Sequence, residues 1–496
     1  MLWACLYFPS LALDIFARAW RDEDTAQCFV VASGGNAPHV VAANAAARAA
    51  GIRRGQSIAT ALALAPDIVL RDRDLTAEAR ALAQLATWTL RFTPQASLAP
   101  PEALVAEIGG SLRLFGGLPR LVARITRGID AQGYAAQLGL APTPTAALML
   151  ARAGVTVPVH DPRELPAVLA PLPLALLDVA PDALVTLAAA GVTTFGEAAS
   201  LPRDALARRC GGDLVAVLDR ALARVTDPRA PYLPPPRFAS RLVLPTPIAD
   251  AEALGFGVNR LVHELASWLL ARGLGAVRLS LTLMHEHYLR QRGMPPTLVP
   301  FTLGAPARAP AHLVGVLRER LARVALPAPV EAIALESEET APLAGRNLGL
   351  LPGDEADAAL VPLVDRLRAR LGDAAVTSMA PHAEHRPELA LRDAVGMTTR
   401  GVRAAARSKI GAAPLPDAPR PLWLLDQVEP LSHRLEQAPW TLKDGPERIE
   451  SGWWDGNDIR RDYFVAETQD GEIVWIYRDH RYGIDDGEWF LHGLFA

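Results

Sequence analysis

The chain is poor in cysteine, in lysine and in long apolar runs. Its three cysteines, Cys5, Cys28 and Cys210, are odd in number and scattered over 496 residues. That excludes a disulfide framework and a cysteine metal cluster of normal ligand spacing, and it points to a reducing cytoplasm. No apolar stretch reaches the roughly 18–20 residues that a membrane-spanning helix needs. The N-terminal MLWACLYFPSLALDIFARAW lacks a basic start and a small-residue cleavage site, so it reads as a strand running into a helix. No glycine-rich phosphate loop ending in Lys-Ser/Thr and no Gly-x-Ser-x-Gly elbow is present, which argues against a RecA-type ATPase and a serine hydrolase.

Lysine occurs only as Lys409 and Lys443, so almost all of the 50 basic residues are arginine. Arginine suits bidentate phosphate contacts, although a GC-rich coding bias in so alanine-rich a chain gives the same excess. Net charge is −4, so any nucleic-acid contact must come from a local patch. Between Arg237 and Arg323 stand eleven arginines against five acidic residues, an excess of six. Within that block Arg241, Arg278, Arg290 and Arg292 are the candidate backbone contacts.

Half the residues are hydrophobic, enough for several buried cores, and the length implies several domains. Residues 26–72 alternate short apolar runs with helical spacing, the mark of an α/β or α+β unit. A helix is expected over 75–91, and β-like segments over 104–114 on both sides of Gly109-Gly110. Residues 166–232 read as short helices joined by tight turns, one ending on Gly191 and the next capped by Thr194. The run PYLPPPRF is a proline-rich boundary. Beyond it strand, helix, strand, hairpin, helix and strand follow in order to about 340. Residues 341–415 read mostly as linker, with a helix over 357–371 and the basic run Arg400, Arg403, Arg407 and Lys409. The last stretch, 416–496, holds six of the ten tryptophans and a hairpin around QDGE. So many aromatics imply a dense small core, a partner-binding face, or both; Trp453, Trp454, Trp489 and Phe490 are the candidates for the face. His285-Glu286-His287 and the His382/His385 pair have metal-like spacing without a supporting ligand set and read as structural.

Residues 40–70, VVAANAAARAAGIRRGQSIATALALAPDIVL, resemble the fingers segment of Y-family translesion DNA polymerases. TPQASLAPPEALVAEIGGS (93–111) and GLAPTPTAALMLA (139–151) are similar to later family segments, in the correct order. The resemblance implies an α+β multidomain fold: palm and fingers over 1–165, a helical thumb over 166–232, a little finger over 237–340, a linker over 341–415 and an added β module over 416–496. It is UmuC/DinB-like in kind.

A two-metal nucleotidyl transfer needs carboxylates that grip two Mg²⁺ ions. Y-family enzymes take one Asp from the first strand and an Asp-Glu pair from the palm. Here the first-strand acid falls near Leu6, and the palm pair reads Glu102-Ala103. The fingers tyrosine is Ala45, Arg48 remains as a vestige of the nucleotide pocket, and a phosphate-facing lysine falls near Pro144. The thumb hairpin glycines are replaced by Asp178-Val179-Ala180-Pro181. The expectation is a pseudo-polymerase with no cofactor and no bound metal; an active polymerase with a divergent metal site is the alternative. The tail GPERIESGWWDGNDIRRDYFVA…WFLHGLFA resembles that of a non-catalytic branch of the family in the damage-induced response. This implies partners: the RecA-like protein ImuA, an error-prone C-family polymerase, the sliding clamp and primer–template DNA. Asn347, Leu348, Leu350 and Leu351 resemble a clamp-binding peptide, with a plain leucine-rich linker as the other reading.

Overall fold

In the computed structural model, which describes residues 1–18, 20, 26–343, 354–376, 378–382, 384–394, 419–431, 440–480 and 488–495, the chain forms two units, Met1–Arg370 and Leu371–Ala496. The first strand, β1 (Trp3–Tyr7), is apolar throughout because both of its faces are covered. Helix α1 (Leu11–Ala17) follows and leads to a small three-stranded sheet. There β2 (Phe29–Ala32) pairs antiparallel with β3 (Val40–Ala43) and parallel with β4 (Val69–Asp72). Between them lie α2 (Ala45–Ala49) and α3 (Ile58–Leu64). Asn44 organises this region: its side-chain oxygen accepts from the Ala47 amide at 2.9 Å and the Phe29 amide at 3.1 Å. It thus caps α2 and ties that helix to the sheet.

Helix α4 (Leu75–Thr89), capped by Asp74, returns the chain to the large sheet, where β5 (Ala96–Ala99) and β6 (Ala103–Glu107) pair antiparallel. The expected strand continuation past the glycine pair is not found: residues 112–115 form the short helix α5 (Leu112–Phe115). The cause is Glu107, whose carboxylate accepts from the Gly109 and Gly110 amides at 3.0 and 3.3 Å and bends the chain out of the ladder. Helix α6 (Leu118–Ala131) and strand β7 (Gln137–Ala141) complete a β-α-β-β-α-β unit of strand order β5-β6-β1-β7. One face packs on α4 and α6 through Leu2, Ala4, Leu6, Phe8, Leu104 and Ala106. The other carries Cys5, Ala103 and Val105 toward α7 (Pro144–Arg152).

A helical stretch follows, with α8 (Leu165–Leu169), α9 (Pro181–Ala189), α10 (Phe195–Ser200), α11 (Arg203–Cys210) and α12 (Gly212–Ala221). Thr194 and Glu197 form a full capping box on α10. A second β-α-β-β-α-β unit then runs β8 (Ala239–Ile248), α13 (Gly255–Arg272), β9 (Leu274–His285), α14 (His287–Gln291), β10 (Thr297–Ala307), α15 (Pro310–Leu321) and β11 (Val330–Pro342). Its antiparallel sheet has the order β10-β9-β11-β8. His285 is fully buried at the end of β9 and His287 opens α14, so the pair does not share a strand face. Helix α16 (Asp354–Leu371) packs on this unit: Asp365 accepts from the Gly304 amide at 2.8 Å and lies 3.0 Å from His312 Nε2.

In the second unit β12 (Ser378–Pro381) and β13 (Leu391–Ala394) form a short pair within the stretch read as linker. A five-stranded antiparallel sheet follows, with β14 (Trp423–Pro430), β15 (Thr441–Ser451), β16 (Ile459–Glu467), β17 (Ile473–Asp479) and β18 (Trp489–Leu494) in the order β14-β18-β17-β16-β15. Trp475 stacks on Tyr463 with centroids 4.0 Å apart and forms part of the core. Together these elements make an α+β architecture with an added C-terminal β sheet.

Gly139 marks the closest approach of sheet to helix. A Cβ there would collide with the Ala147 carbonyl oxygen and the Ala151 amide nitrogen of α7. Gly139→Ala is expected to destabilise the first unit by about 1–3 kcal/mol or more. Chemical denaturation of the full chain reads this as a lowered midpoint.

Candidate functional site

Register, not sequence spacing, decides which side chain of β1 stands beside the palm pair. Tyr7 pairs opposite Ala103, and Leu6 opposite Leu104. Alternation turns Leu6 into the core under α4 and α6, while Tyr7 and Ala103 share the other face. The neighbour of Glu102-Ala103 is therefore the Tyr7 phenol, one residue from Leu6. The Glu102 carboxylate is its charged neighbour: burial first, then that negative charge, raises the Tyr7 phenol above its ordinary range. Arg73 Nη2 lies 3.9 Å from Glu102 Oε1 and is itself gripped by Glu78 through two bonds of 2.7 Å.

The donor set is one carboxylate, one protonated phenol and a methyl group, with a guanidinium alongside. Such a set does not fit a pair of divalent cations, which need several converging anionic oxygens. Among the described residues no group of three or more His, Cys, Asp and Glu is arranged to hold a metal ion.

Arg48 is exposed on α2, where its carbonyl accepts from Arg53 Nη1 at 2.6 Å. Pro144 is buried at the start of α7. The next residue, Thr145, gives both its amide and its hydroxyl to Asp227 Oδ2, at 2.9 and 2.7 Å. Arg229 Nη2 donates to the Thr145 hydroxyl at 2.8 Å. The opening turn of α7 is thus satisfied from within the chain.

The arginines of the second β-α-β-β-α-β unit are only partly free. Arg278 lies 3.7 Å from Glu339, and Arg290 is paired with Glu331. Arg241 stands on β8 within the field of Arg290. Arg292 is exposed at the end of α14.

In the second unit Trp453 and Trp454 are brought together, 81% and 57% exposed, with ring centroids 5.5 Å apart in an edge-to-face pair. Arg386 braces their loop: its guanidinium donates to Asp455 at 2.7 and 3.1 Å and to the Asn457 carbonyl at 3.3 Å. Its hydrogen bond to Glu384 pushes that carboxyl down to about 2. Trp489 and Phe490 do not join this patch. They lie on opposite faces of β18, half-buried, Trp489 against Phe464 and Phe490 against Tyr477. Sequence reading passed over Tyr7 and Arg386: the strand register that selects Tyr7 is not written in an all-apolar strand, and Arg386 sits in apparent linker. Asn347, Leu348, Leu350 and Leu351, and the run Arg400, Arg403, Arg407 and Lys409, lie outside the described residues.

The model of the impB/mucB/samB family matches residues 16–152. Protein ImuB from two strains of Caulobacter vibrioides is 30% identical over 477 residues, spanning 90% of this chain and 100% of that protein. Among solved structures, DinB from Sulfolobus solfataricus covers 68% of this chain and 98% of its own at 14% identity, with a TM-score of 0.38. Dbh DNA polymerase in an insertion ternary complex covers the same shares at 15% identity and a TM-score of 0.40. Residues 16–152 thus carry the domain of the impB/mucB/samB family, and at the level of family the chain belongs to DNA repair by translesion synthesis. More narrowly, the chain belongs to the ImuB family. No helix among the described residues is long and apolar enough to cross a membrane.

Tyr7 carries a direct check on this geometry. In a difference titration of wild type against Tyr7→Phe, followed by phenolate absorbance, the Tyr7 phenol is expected to ionise above the ordinary tyrosine range. Glu102→Gln removes the opposing negative charge and should move that ionisation to lower pH. An unmoved titration would place Glu102 away from Tyr7.

Proposed function

We propose that this chain is a non-catalytic adaptor of damage-induced translesion synthesis. It holds primer–template DNA, docks on the sliding clamp, and links the RecA-like protein ImuA with the error-prone C-family polymerase that performs synthesis. One observation carries the reading: where two-metal transfer needs converging carboxylates, Glu102 stands beside a phenol and a methyl group, with the Arg73 guanidinium 3.9 Å away. The palm in this reading is a scaffold that keeps the shape of a polymerase for binding. Membership in the ImuB family supports the same view. The exposed, braced Trp453–Trp454 pair supports a protein-binding role for the second unit, since rigid exposed aromatics make strong interface anchors. Asn347, Leu348, Leu350 and Leu351 are proposed as the clamp peptide, with three leucines as anchors and the Asn amide at the rim. Arg241, Arg278, Arg290 and Arg292 are proposed to track the DNA backbone. The site of action is the cytoplasm.

Purified protein with primer–template DNA and either Mg²⁺ or Mn²⁺ should show no primer extension. Robust extension that Glu102→Ala abolishes would defeat the adaptor reading and restore the active polymerase. For the clamp, Leu348→Ala/Leu350→Ala/Leu351→Ala should eliminate pull-down by the sliding clamp; normal capture would mean that another segment binds it.

A further inference from the structure

Residues 109–129 contain four arginines, Arg113, Arg120, Arg124 and Arg127, and no acidic residue. Helix α6 buries Leu121, Ile125 and Ile129 against the large sheet. Arg120, Arg124 and Arg127, spaced four and three apart, therefore share the solvent face, and all three are exposed. Arg113, exposed on α5, stands next to Leu114, which is 82% exposed.

Aromatic rings support Arg124 of this group and the nearby Arg91, while Arg127 Nε donates to the Ala123 carbonyl at 3.1 Å. Arg124 Cζ lies 5.6 Å from the centre of the Phe115 ring. Phe115 packs on Phe92 at 5.5 Å, and Phe92 on Trp88 at 5.0 Å. Arg91 Cζ is 5.8 Å from the Trp88 ring. Gly128 makes this possible, because a Cβ there would strike the Trp88 indole. Among the described residues none of Arg91, Arg113, Arg120, Arg124 and Arg127 forms an ion pair, in contrast to Arg278 and Arg290. A guanidinium held by a ring keeps its donors for an incoming anion.

We infer that the exposed face of α5 and α6 is a second nucleic-acid surface, which binds the phosphate backbone of DNA. It lies over the sheet face that carries Leu6, opposite the face of Tyr7 and Ala103, so it does not extend the primer-terminus site. Arg120 to Arg127 span roughly 10 Å of helix, enough to meet two or three phosphates of one strand at about 3.4 Å per phosphate along a duplex. Asp130, exposed three residues after Arg127, is the one acid on α6, so three arginines against one acid leave the face a net positive charge that fits a polyanion. The surface is independent of the catalytic state of the palm and of the arginines proposed for primer–template binding.

The test uses full-length protein with a fluorescein-labelled single-stranded oligonucleotide and a labelled primer–template duplex, titrated by anisotropy over a range of salt. Arg113→Gln/Arg120→Gln/Arg124→Gln/Arg127→Gln is expected to weaken binding to at least one of them by about tenfold or more. The slope of log affinity against log salt should fall by roughly 0.7–0.9 for each phosphate that the variant no longer neutralises. The arm that weakens identifies the form of DNA bound. The matching Arg→Lys variant should recover most of the affinity, and Arg120→Gln/Arg127→Gln serves if the fourfold change unfolds the chain. Wild-type affinity and slope for both DNAs in the Gln variants overturn the inference, including the case where an acidic protein segment occupies the surface instead. A parallel Arg241→Gln/Arg278→Gln/Arg290→Gln/Arg292→Gln variant separates the two surfaces: loss there alone sinks this inference and leaves the earlier reading standing.

Discussion

The first unit is organised around one buried charge pair. Arg18, just past α1, meets Glu264 in the middle of α13, with both side chains nearly shielded from water. Two buried ions are tolerable only when their remaining donors and acceptors are occupied. Here Tyr134 accepts from Arg18 and the Ser240 hydroxyl donates to Glu264, so most of these groups are occupied, while Arg18 Nε stays buried without a partner. Gln84 on α4 donates to Ser240 at 2.8 Å. The network draws α1, α4, β8 and α13 to one point. It unites residues 246 positions apart in sequence, so the second β-α-β-β-α-β unit is fixed to the helical side of the large sheet. Removing one partner of such a pair strands a charge at a cost of about 3–5 kcal/mol. The arginine-rich face of α6 and the sheet of β8–β11 thereby belong to a single framework.

That framework gives meaning to the chemistry at Tyr7. A polymerase site must keep carboxylates unsatisfied, because metal ions complete them only when nucleotide arrives. Glu102 is in the opposite condition. The Tyr7 phenol stands beside it and Arg73 balances part of its charge. The start of α7 is likewise closed by Asp227, with Arg229 behind it. On the adaptor reading these are consistent features: groups that would wait for nucleotide or metal in an enzyme are instead paired with their neighbours, which favours one rigid state.

The legible parts of the sequence were those with a strong period. The long helices α4, α13 and α15 and the strands β9, β16 and β17 follow the 3.6 and 2.0 spacing of their apolar residues, as does the capped turn at Thr194. The order of family-like segments likewise agreed with the architecture. What could not be read depended on partners far along the chain. Strand β1 is apolar on both faces, so its alternation gave no sign of whether Leu6 or Tyr7 faced the palm pair; only pairing with β6 decides. The helix at Leu112–Phe115 follows from Glu107 capping two glycine amides, a polar effect hidden inside a β-like run. The strands around Arg386 are four residues each, too short to show a period, and are secured by an arginine that reaches Asp455. Tryptophan count foretold a dense core, but not which rings would enter it: Trp475 is buried, whereas Trp453 and Trp454 are exposed.

Charge shows the same limit in a different form. A tally over residues 237–323 favours that block as the basic surface, yet a tally ignores what strands bring alongside. Arg278 meets Glu339 on the neighbouring strand β11, and Arg290 meets Glu331, both acids lying outside the counted block. Exposed pairs of this kind contribute little to stability, but they do reduce the field available to a phosphate. Helix α6 suffers less from this problem, because its surface neighbours at three and four positions' distance are its own residues, and Asp130, three from Arg127, is the one acid among them. A positive stripe within a single helix is therefore a firmer guide to free charge than a larger excess spread across a sheet, where each strand can supply the counter-charge of the next.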